Sequence, residues 1–167
     1  MRYFLYTYSV FPKDNFEISH RYGVFGATRG NKTKDLKRDD IIIIRDGSSL
    51  VRDSLVLLGC CRVVGGVFDQ KFDTPYRDYL WKDELRDQII SYPLRVPVDF
   101  KSVLKIRHKI LWKEIVDLKL KGYYGQDLKG KNQWGKKFSG NFIDKEPEVN
   151  AFGKLLGAEK AEAFSTI

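Results

Sequence analysis

Histidine and cysteine are scarce in this chain, and their scarcity limits its chemistry. The 167 residues include two histidines and two cysteines. No spacing among them matches a zinc site, which takes three or four such ligands in paired positions. Cys60 and Cys61 are neighbours, so on a strand their side chains point to opposite faces and cannot easily form a disulfide. We therefore expect no metal centre and no cofactor.

Long apolar runs are also missing. No unbroken apolar stretch exceeds the four residues of Ile41–Ile44, which is far too short to span a membrane. The N-terminal sequence MRYFLYTYSV is too short and too polar for a signal peptide. These absences predict a cytoplasmic protein whose thiols are reduced.

The residues that are present indicate one folded domain. Hydrophobic residues make up 43% of the chain and aromatic residues 14%, which argues against disorder. A chain of this length has room for one domain with a substantial core. We place that domain at residues 1–157 and interpret residues 158–167 as a tail or the start of a linker.

The positive charge is concentrated in one part of the sequence. The net charge is +8, and residues 101–140 alone carry 11 basic and 3 acidic side chains. Aromatic residues are interleaved with these lysines, as in proteins that stack bases while pairing phosphates. The block predicts a polyanionic partner. The alternative is a solvated surface that only keeps the protein in solution.

Periodicity and turn residues predict a mostly β chain with few helices. The predicted strands are 2–10, 22–28, 41–44 and 54–67, followed by an edge strand at 92–100 that contains two prolines. We expect loops at 11–19, 68–90 and 122–140, and one helical turn at 31–37. Amphipathic spacing predicts a helix at 107–118, and a last helix begins near 146 and ends at 157. This order is typical of an α+β fold with a small mixed β-barrel flanked by short helices.

One phosphate-binding motif is nearly present and is rejected. Residues 125–132 read GQDLKGKN, but an asparagine stands where a P-loop has the magnesium-binding hydroxyl. No buried strand precedes this segment. We instead expect this lysine-rich region to lie near a nucleic-acid backbone, with Lys129, Lys131, Lys136 and Lys137 binding phosphates. The sequence therefore favours a non-catalytic chain.

Several motifs occur in an order that resembles a known group of domains. The succession is YGVFGATRGN, DLKRDDIIIIRD, LVLLGCCRVVGGVF, DYLWKDEL and YPLRVPVDF, with NQWGKKFSGNFI near the C-terminus. It is similar to the EVE and YTH group of PUA-like domains over about residues 1–157. YTH domains bind N6-methyladenine in an aromatic cage, and related modules are the DNA-reading domains of McrB-type restriction GTPases.

The resemblance implies a base extruded from its stack and held in a pocket. Phe25 corresponds to the first cage tryptophan of the group, although it is a phenylalanine here. We expect Trp81 as a second cage wall, with Tyr79 and Tyr76 as rivals for that position. The resemblance further implies that Asn15 hydrogen-bonds the base edge. The remaining expected contacts are the backbone near Thr28, and Arg29 and Lys32 as further phosphate ligands.

We therefore predict a DNA-binding domain that flips out a modified base, N6-methyladenine, and targets a restriction NTPase. Its implied partners are methylated duplex DNA, an AAA+ GTPase and a nuclease subunit. The first alternative is an RNA-binding PUA-like module that reads a modified or unpaired nucleotide. The second is a small nucleotide enzyme that uses Asp14 or His20, and the third is a protein-interaction domain.

Overall fold

The computed structural model describes residues 1–30, 32–48, 54–101, 106–119 and 138–157. These parts of the chain contain eight strands, four α-helices and two 3₁₀ turns. In chain order they are β1 Tyr3–Tyr8, α1 Pro12–Tyr22, β2 Val24–Ala27, a 3₁₀ turn Lys32–Asp35, β3 Ile41–Asp46, β4 Ser54–Val63, β5 Phe68–Asp69, a 3₁₀ turn Tyr76–Tyr79, α2 Lys82–Asp87, β6 Leu94–Asp99, β7 Lys109–Leu111, α3 Trp112–Asp117, β8 Asn141–Ile143 and α4 Glu146–Gly157.

The strands form one curled sheet, a half-barrel, in the order β2-β6-β4-β3-β1-β8. β5 pairs with β6, and β7 pairs with β4. Only the β1–β3 pair is parallel among the described ladders. The mixed α+β class with a barrel-like sheet, predicted from the sequence, is therefore confirmed.

Both faces of the central strands are buried. Ile41 and Ile43 pack in one core, against α3 and α4, while Ile42 and Ile44 pack in the other, among aromatic rings inside the curl. This alternation explains the continuous apolar run, because successive side chains on a strand point to opposite faces. Cys60 and Cys61 divide between the same two cores, so their side chains point to opposite faces, as predicted.

The predicted loop at 11–19 is wrong, because this segment belongs to helix α1. Pro12 occupies the first turn, where its missing N–H costs nothing, and Gly23 ends the helix with a φ of 63°. Besides Pro12, the helix fully buries the polar Asn15 and Ser19, while its larger apolar residues Phe16 and Ile18 are only partly buried. A helix that packs through polar side chains shows no helical period of hydrophobicity, so the sequence pattern indicated a loop.

The prediction of one long loop at 68–90 is also wrong. The segment contains β5, a 3₁₀ turn and α2, and its organising residue is the buried Glu84. The Oε2 atom of Glu84 accepts the backbone N–H of Trp81 at 2.9 Å, and its Oε1 atom accepts that of Tyr92 at 2.9 Å. Sequence patterns do not indicate such long-range polar anchoring.

Two further elements differ from prediction. Residues 109–111 of the predicted helix form β7, because they pair with Ser54–Val56 of β4, and helix α3 begins only at Trp112. The predicted edge strand β6 lies between β2 and β4. It tolerates Pro97 because that residue contributes its carbonyl, which accepts the N–H of Val64 at 3.0 Å.

The other predicted elements are confirmed with small shifts at their ends, namely β1, β2, β3, β4, the 3₁₀ turn Lys32–Asp35 and α4. Every helix in the described ranges is too short or too polar to traverse a lipid bilayer.

Candidate functional site

An open polar groove lies where the segment after β2 faces the segment that leads into β8. It consists of two adjoining cavities of about 390 and 280 Å³ that share Gly30 and Ser139. Because β2 and β8 are the terminal strands of the sheet order, the groove brings together residues from its two ends. The lining residues are Tyr6, Thr7, Ser9, Thr28, Arg29, Gly30, Lys32, Lys34, Asp35, Ser139, Gly140 and Asn141.

Two neighbouring residues of β1 hold the two walls of this groove. The hydroxyl of Tyr6 accepts the backbone N–H of Thr28 at 3.2 Å, which fixes the first wall. Thr7 donates its Oγ1 hydrogen to the carbonyl of Phe138 at 2.8 Å, which fixes the second. The N–H of Gly140 also bonds the carbonyl of Leu5 at 2.9 Å. Both walls are therefore attached to the same buried strand.

The first wall is basic and firmly held. Its 3₁₀ turn buries Thr33 completely, and Leu36, directly after the turn, is almost completely buried. Downstream, the Asp40 carboxylate accepts the N–H of Lys37 at 2.8 Å and two N–H groups of Arg2 at 3.0 and 2.6 Å. The hydrogen bond to Asp40 raises the pKa of Arg2. The lysines of this wall are thus carried on a backbone that is fixed by buried and charge-assisted contacts.

Three of the predicted site residues meet in this groove, namely Thr28, Arg29 and Lys32. The guanidinium of Arg29 also forms a surface ion pair with Asp69 at 2.6 Å. The sequence analysis did not predict four other residues that line the same groove, namely Tyr6, Lys34, Ser139 and Asn141. The basic run RGNKTKDLKR was a signal that pointed to the first wall, but nothing local indicated that residues 139–141 would face it.

Phe25 and Trp81, the predicted cage walls, lie in the core behind the groove. They are 0% and 1% exposed. The Phe25 ring packs edge-on against Tyr6 with centroids 5.0 Å apart, and Trp81 packs against Tyr8 and Tyr92 at 4.4 and 4.3 Å. Their role as cage walls stays a prediction. The Tyr8 ring contacts both Phe25 and Trp81, so a base would fit between them only if Tyr8 moved.

Asn15 joins α1 to α2. Its Nδ2 atom donates to the carbonyl of Val10 at 2.8 Å and to Oδ1 of Asp83 at 2.9 Å, and its Oδ1 atom accepts the N–H of Lys82 at 2.9 Å. The amide is fully buried. Its contacts are structural, and the proposed contact with a base edge stays a prediction that requires these bonds to be exchanged.

Tyr76 and Tyr79 do not line the groove. They belong to a 3₁₀ turn and pack against Phe68 with centroids 5.7 and 5.9 Å apart. The predicted phosphate ligands Lys129, Lys131, Lys136 and Lys137 lie outside the described residues, as does the near P-loop. Of the residues considered for catalysis, Asp14 pairs with Lys82 at 3.1 Å, and the His20 ring lies against Phe100 at 5.1 Å.

A buried ion pair between Arg95 and Glu84 packs against the Trp81 ring. The guanidinium of Arg95 binds Oε2 of Glu84 at 2.5 Å, with both side chains fully buried, and it lies 5.0 Å from the Trp81 ring. It also donates to the carbonyls of Tyr79 and Tyr92. Burial lowers the pKa of Arg95, while the Glu84 charge opposes that shift. The sequence showed Arg95 only as a polar residue within a strand.

The Trp81 indole meets β2 at Gly26. A Cβ atom at position 26 would lie 2.6 Å from Cζ2 of Trp81, closer than carbon atoms approach. The indole Nε1 group is buried and has no hydrogen-bond partner among the described residues. Gly26 is therefore required by the close approach of a ring and not by an unusual backbone angle.

No protein-family model matches this chain, and no curated protein matches it either. Within the described ranges, no group of three or more histidine, cysteine, aspartate or glutamate side chains is placed to hold a metal ion.

Proposed function

We propose that this chain is a non-catalytic nucleic-acid-binding domain of the PUA-like EVE/YTH type that receives one extruded nucleotide in its groove. The observation that carries the proposal is an open polar groove with one basic, rigidly held wall. Its larger cavity, about 390 Å³, falls in the range of roughly 300–1,000 Å³ typical of small-ligand sites.

The two walls offer the two kinds of contact that a nucleotide requires. Arg29, Lys32 and Lys34 provide positive charge for phosphate oxygens, which set affinity. On the opposite wall, Ser139 and Asn141 bring a hydroxyl and an amide, which are suited to a base edge. The Tyr6 ring lies at the floor between the groove and Phe25.

The proposed ligand is N6-methyladenine in DNA. A methyl group on a base gains dispersion and desolvation when it lies against aromatic faces, and the floor of the groove borders an aromatic cluster. Phe25 and Trp81 would form a cage if Tyr8, which contacts both rings, rotated away from them. The choice of DNA, and a place beside an AAA+ restriction GTPase and a nuclease, rest on the family resemblance alone.

The experiment is a titration of the chain against matched oligonucleotides at one fixed salt concentration. The set contains duplex DNA that is unmodified or carries N6-methyladenine or 5-methylcytosine, together with a methylated single-stranded RNA. We expect the tightest binding to the N6-methyladenine duplex. Preference for the RNA would instead favour a reader that recognises the 2′-hydroxyl.

Variants of the groove make the titration specific. Lys32→Gln should weaken binding to every oligonucleotide, whereas Ser139→Ala should reduce only the preference between bases. Lys154→Gln, on the exposed side of α4, is the matched control and should change neither. Equal binding to all oligonucleotides, unaffected by Ser139→Ala, would show that the groove does not read a base.

A further inference from the structure

We infer that a second surface beside the groove binds the phosphate backbone of the nucleic acid that flanks the held nucleotide. This surface, the basic ridge, consists of Lys34, Lys37 and Arg38. The inference rests on the proposed function, since it assumes a nucleic-acid partner. It shares Lys34 with the groove wall and extends the phosphate contact beyond the groove to Lys37 and Arg38, and it is tested separately.

The ridge presents three cations that form no ion pair with the part of the chain that the structure describes. All three side chains are exposed, and none takes part in the ion pairs found in the described ranges. The exposed Arg21 and Arg86 differ from the ridge, since each contacts a carboxylate of its own helix. The ridge charges are therefore available to an external anion.

Nearby carboxylates do not neutralise the ridge. Asp40 directs its carboxylate to Arg2 and to the N–H of Lys37, and it is buried. Asp39 lies 3.7 Å from Arg62. Asp35 lines the groove and is the remaining acidic side chain of the segment 29–38, which carries five basic residues. The local field is thus positive along one side of the groove.

The ridge backbone is fixed before any partner binds. The N–H of Leu36 bonds the carbonyl of Thr33 at 3.1 Å, and the N–H of Asp40 bonds that of Lys37 at 3.1 Å. The N–H of Asp39 bonds the carbonyl of Val63 on β4 at 2.9 Å. A preformed surface loses less conformational entropy on binding, so the same charges contribute more affinity than they would on a loose loop.

The ridge continues from the groove along the same segment of chain, which favours an extended anionic ligand. Lys34 lines the groove itself, while Lys37 and Arg38 follow within the same short segment. A chain whose nucleotide occupies the groove would continue past these cations. Three exposed cations on one short segment suit the successive phosphates of a nucleic-acid backbone, and each phosphate contact releases counterions and makes binding depend on salt.

The test compares two triple variants of the full chain by fluorescence anisotropy with duplex DNA over a series of salt concentrations. The first combines Lys34→Gln, Lys37→Gln and Arg38→Gln. The second removes three exposed charges elsewhere, by Lys13→Gln, Lys71→Gln and Lys154→Gln. We expect the ridge variant to reduce the slope of log K against log salt by roughly 2 to 3, about 0.9 for each phosphate that is no longer neutralised. The second variant should retain the original slope.

The outcomes separate this inference from the proposed function. A flatter salt dependence in the ridge variant, with the preference between bases unchanged, supports the ridge as a backbone contact. The same flattening in a chain that prefers no base keeps the ridge and overturns base reading. An equal change of slope in both triple variants, or equally effective competition by polyglutamate, overturns the ridge as a phosphate site.

Discussion

Two residues, Gly26 and Arg95, hold the Trp81 ring in place in different ways. At Gly26 the missing side chain lets the Trp81 ring lie on β2. At Arg95 a charged side chain is held inside the core because Glu84 and two carbonyls satisfy it. Both positions belong to the support of Trp81, so the core behind the groove tolerates little change in volume or charge.

Gly26→Ala should lower the free energy of unfolding by about 1–3 kcal/mol, the usual range for overpacking a dense core. The reason is the 2.6 Å approach of the new Cβ to Cζ2 of Trp81. Urea denaturation measures the change. Gly66→Ala is the control, because a Cβ there meets nothing within 4 Å. Equal stability of the two variants would contradict the contact.

Alkaline pH should destabilise the protein through Tyr3. Burial raises the pKa of Tyr3 to about 12, so the folded state holds its phenolic proton more tightly than the unfolded chain, whose tyrosines titrate near 10. The contribution is complete below pH 10 and is lost as pH rises towards 12. Unfolding free energies measured across that interval should fall less steeply in Tyr3→Phe, which keeps the ring. An unchanged slope would show that Tyr3 is not responsible.

Helices α1 and α2 illustrate how a polar contact can organise two elements. Asn15 makes three hydrogen bonds that no apolar side chain can replace, and all of them cross from α1 to its flanking segment or to α2. This arrangement fixes the N-terminus of α2, the helix that directly follows Trp81. The contact between the two helices therefore helps to hold Trp81, which belongs to the aromatic core, in place.

Asn15→Ala should cost about 1–3 kcal/mol of stability, because it leaves the buried Asp83 carboxylate and the Lys82 N–H with fewer partners. In the variant, hydrogen exchange of the Lys82 amide should be faster than in the wild type, whereas exchange of amides in β3 should change less. Lys13→Ala, an exposed neighbour on the same helix, serves as the control. A stable variant that has lost base preference would instead favour the predicted contact between Asn15 and a base.

At the scale of the whole molecule, the groove exists because the curled sheet brings its two ends together. The strand β1 carries both attachments, through Tyr6 on one side and Thr7 on the other. The walls come from segments more than one hundred residues apart in sequence. Loss of one of these two attachments should therefore loosen one wall and leave the other in place.

Tyr6→Phe tests this arrangement. It removes the hydroxyl that accepts the Thr28 N–H but keeps the ring, so we expect a stability loss of only about 0.5–1.5 kcal/mol. Hydrogen exchange at Thr28 should accelerate, and oligonucleotide affinity should fall. Thr7→Val, which releases the other wall at Phe138, provides the comparison. Unchanged affinity in both variants would show that binding does not need preformed walls.

The sequence by itself determined those elements whose pattern is local. The run Ile41–Ile44 predicted a buried strand, the adjacent cysteines predicted opposite faces, and Glu146 to Gly157 predicted the last helix. For these elements the signal lies within a few residues, where alternation and capping are sufficient. Thr28, Arg29 and Lys32, which line the groove, were expected from the family resemblance, and their contact with a nucleic acid stays a prediction.

Only the tertiary structure decided the rest. The polar face of α1, the placement of β6 inside the sheet and the burial of Phe25 and Trp81 depend on partners distant in the chain. The same holds for the opposing wall at Ser139 and Asn141, which faces Lys32 only because β8 pairs with β1. A buried polar group is stable only where its specific partners surround it, and periodicity does not encode those partners.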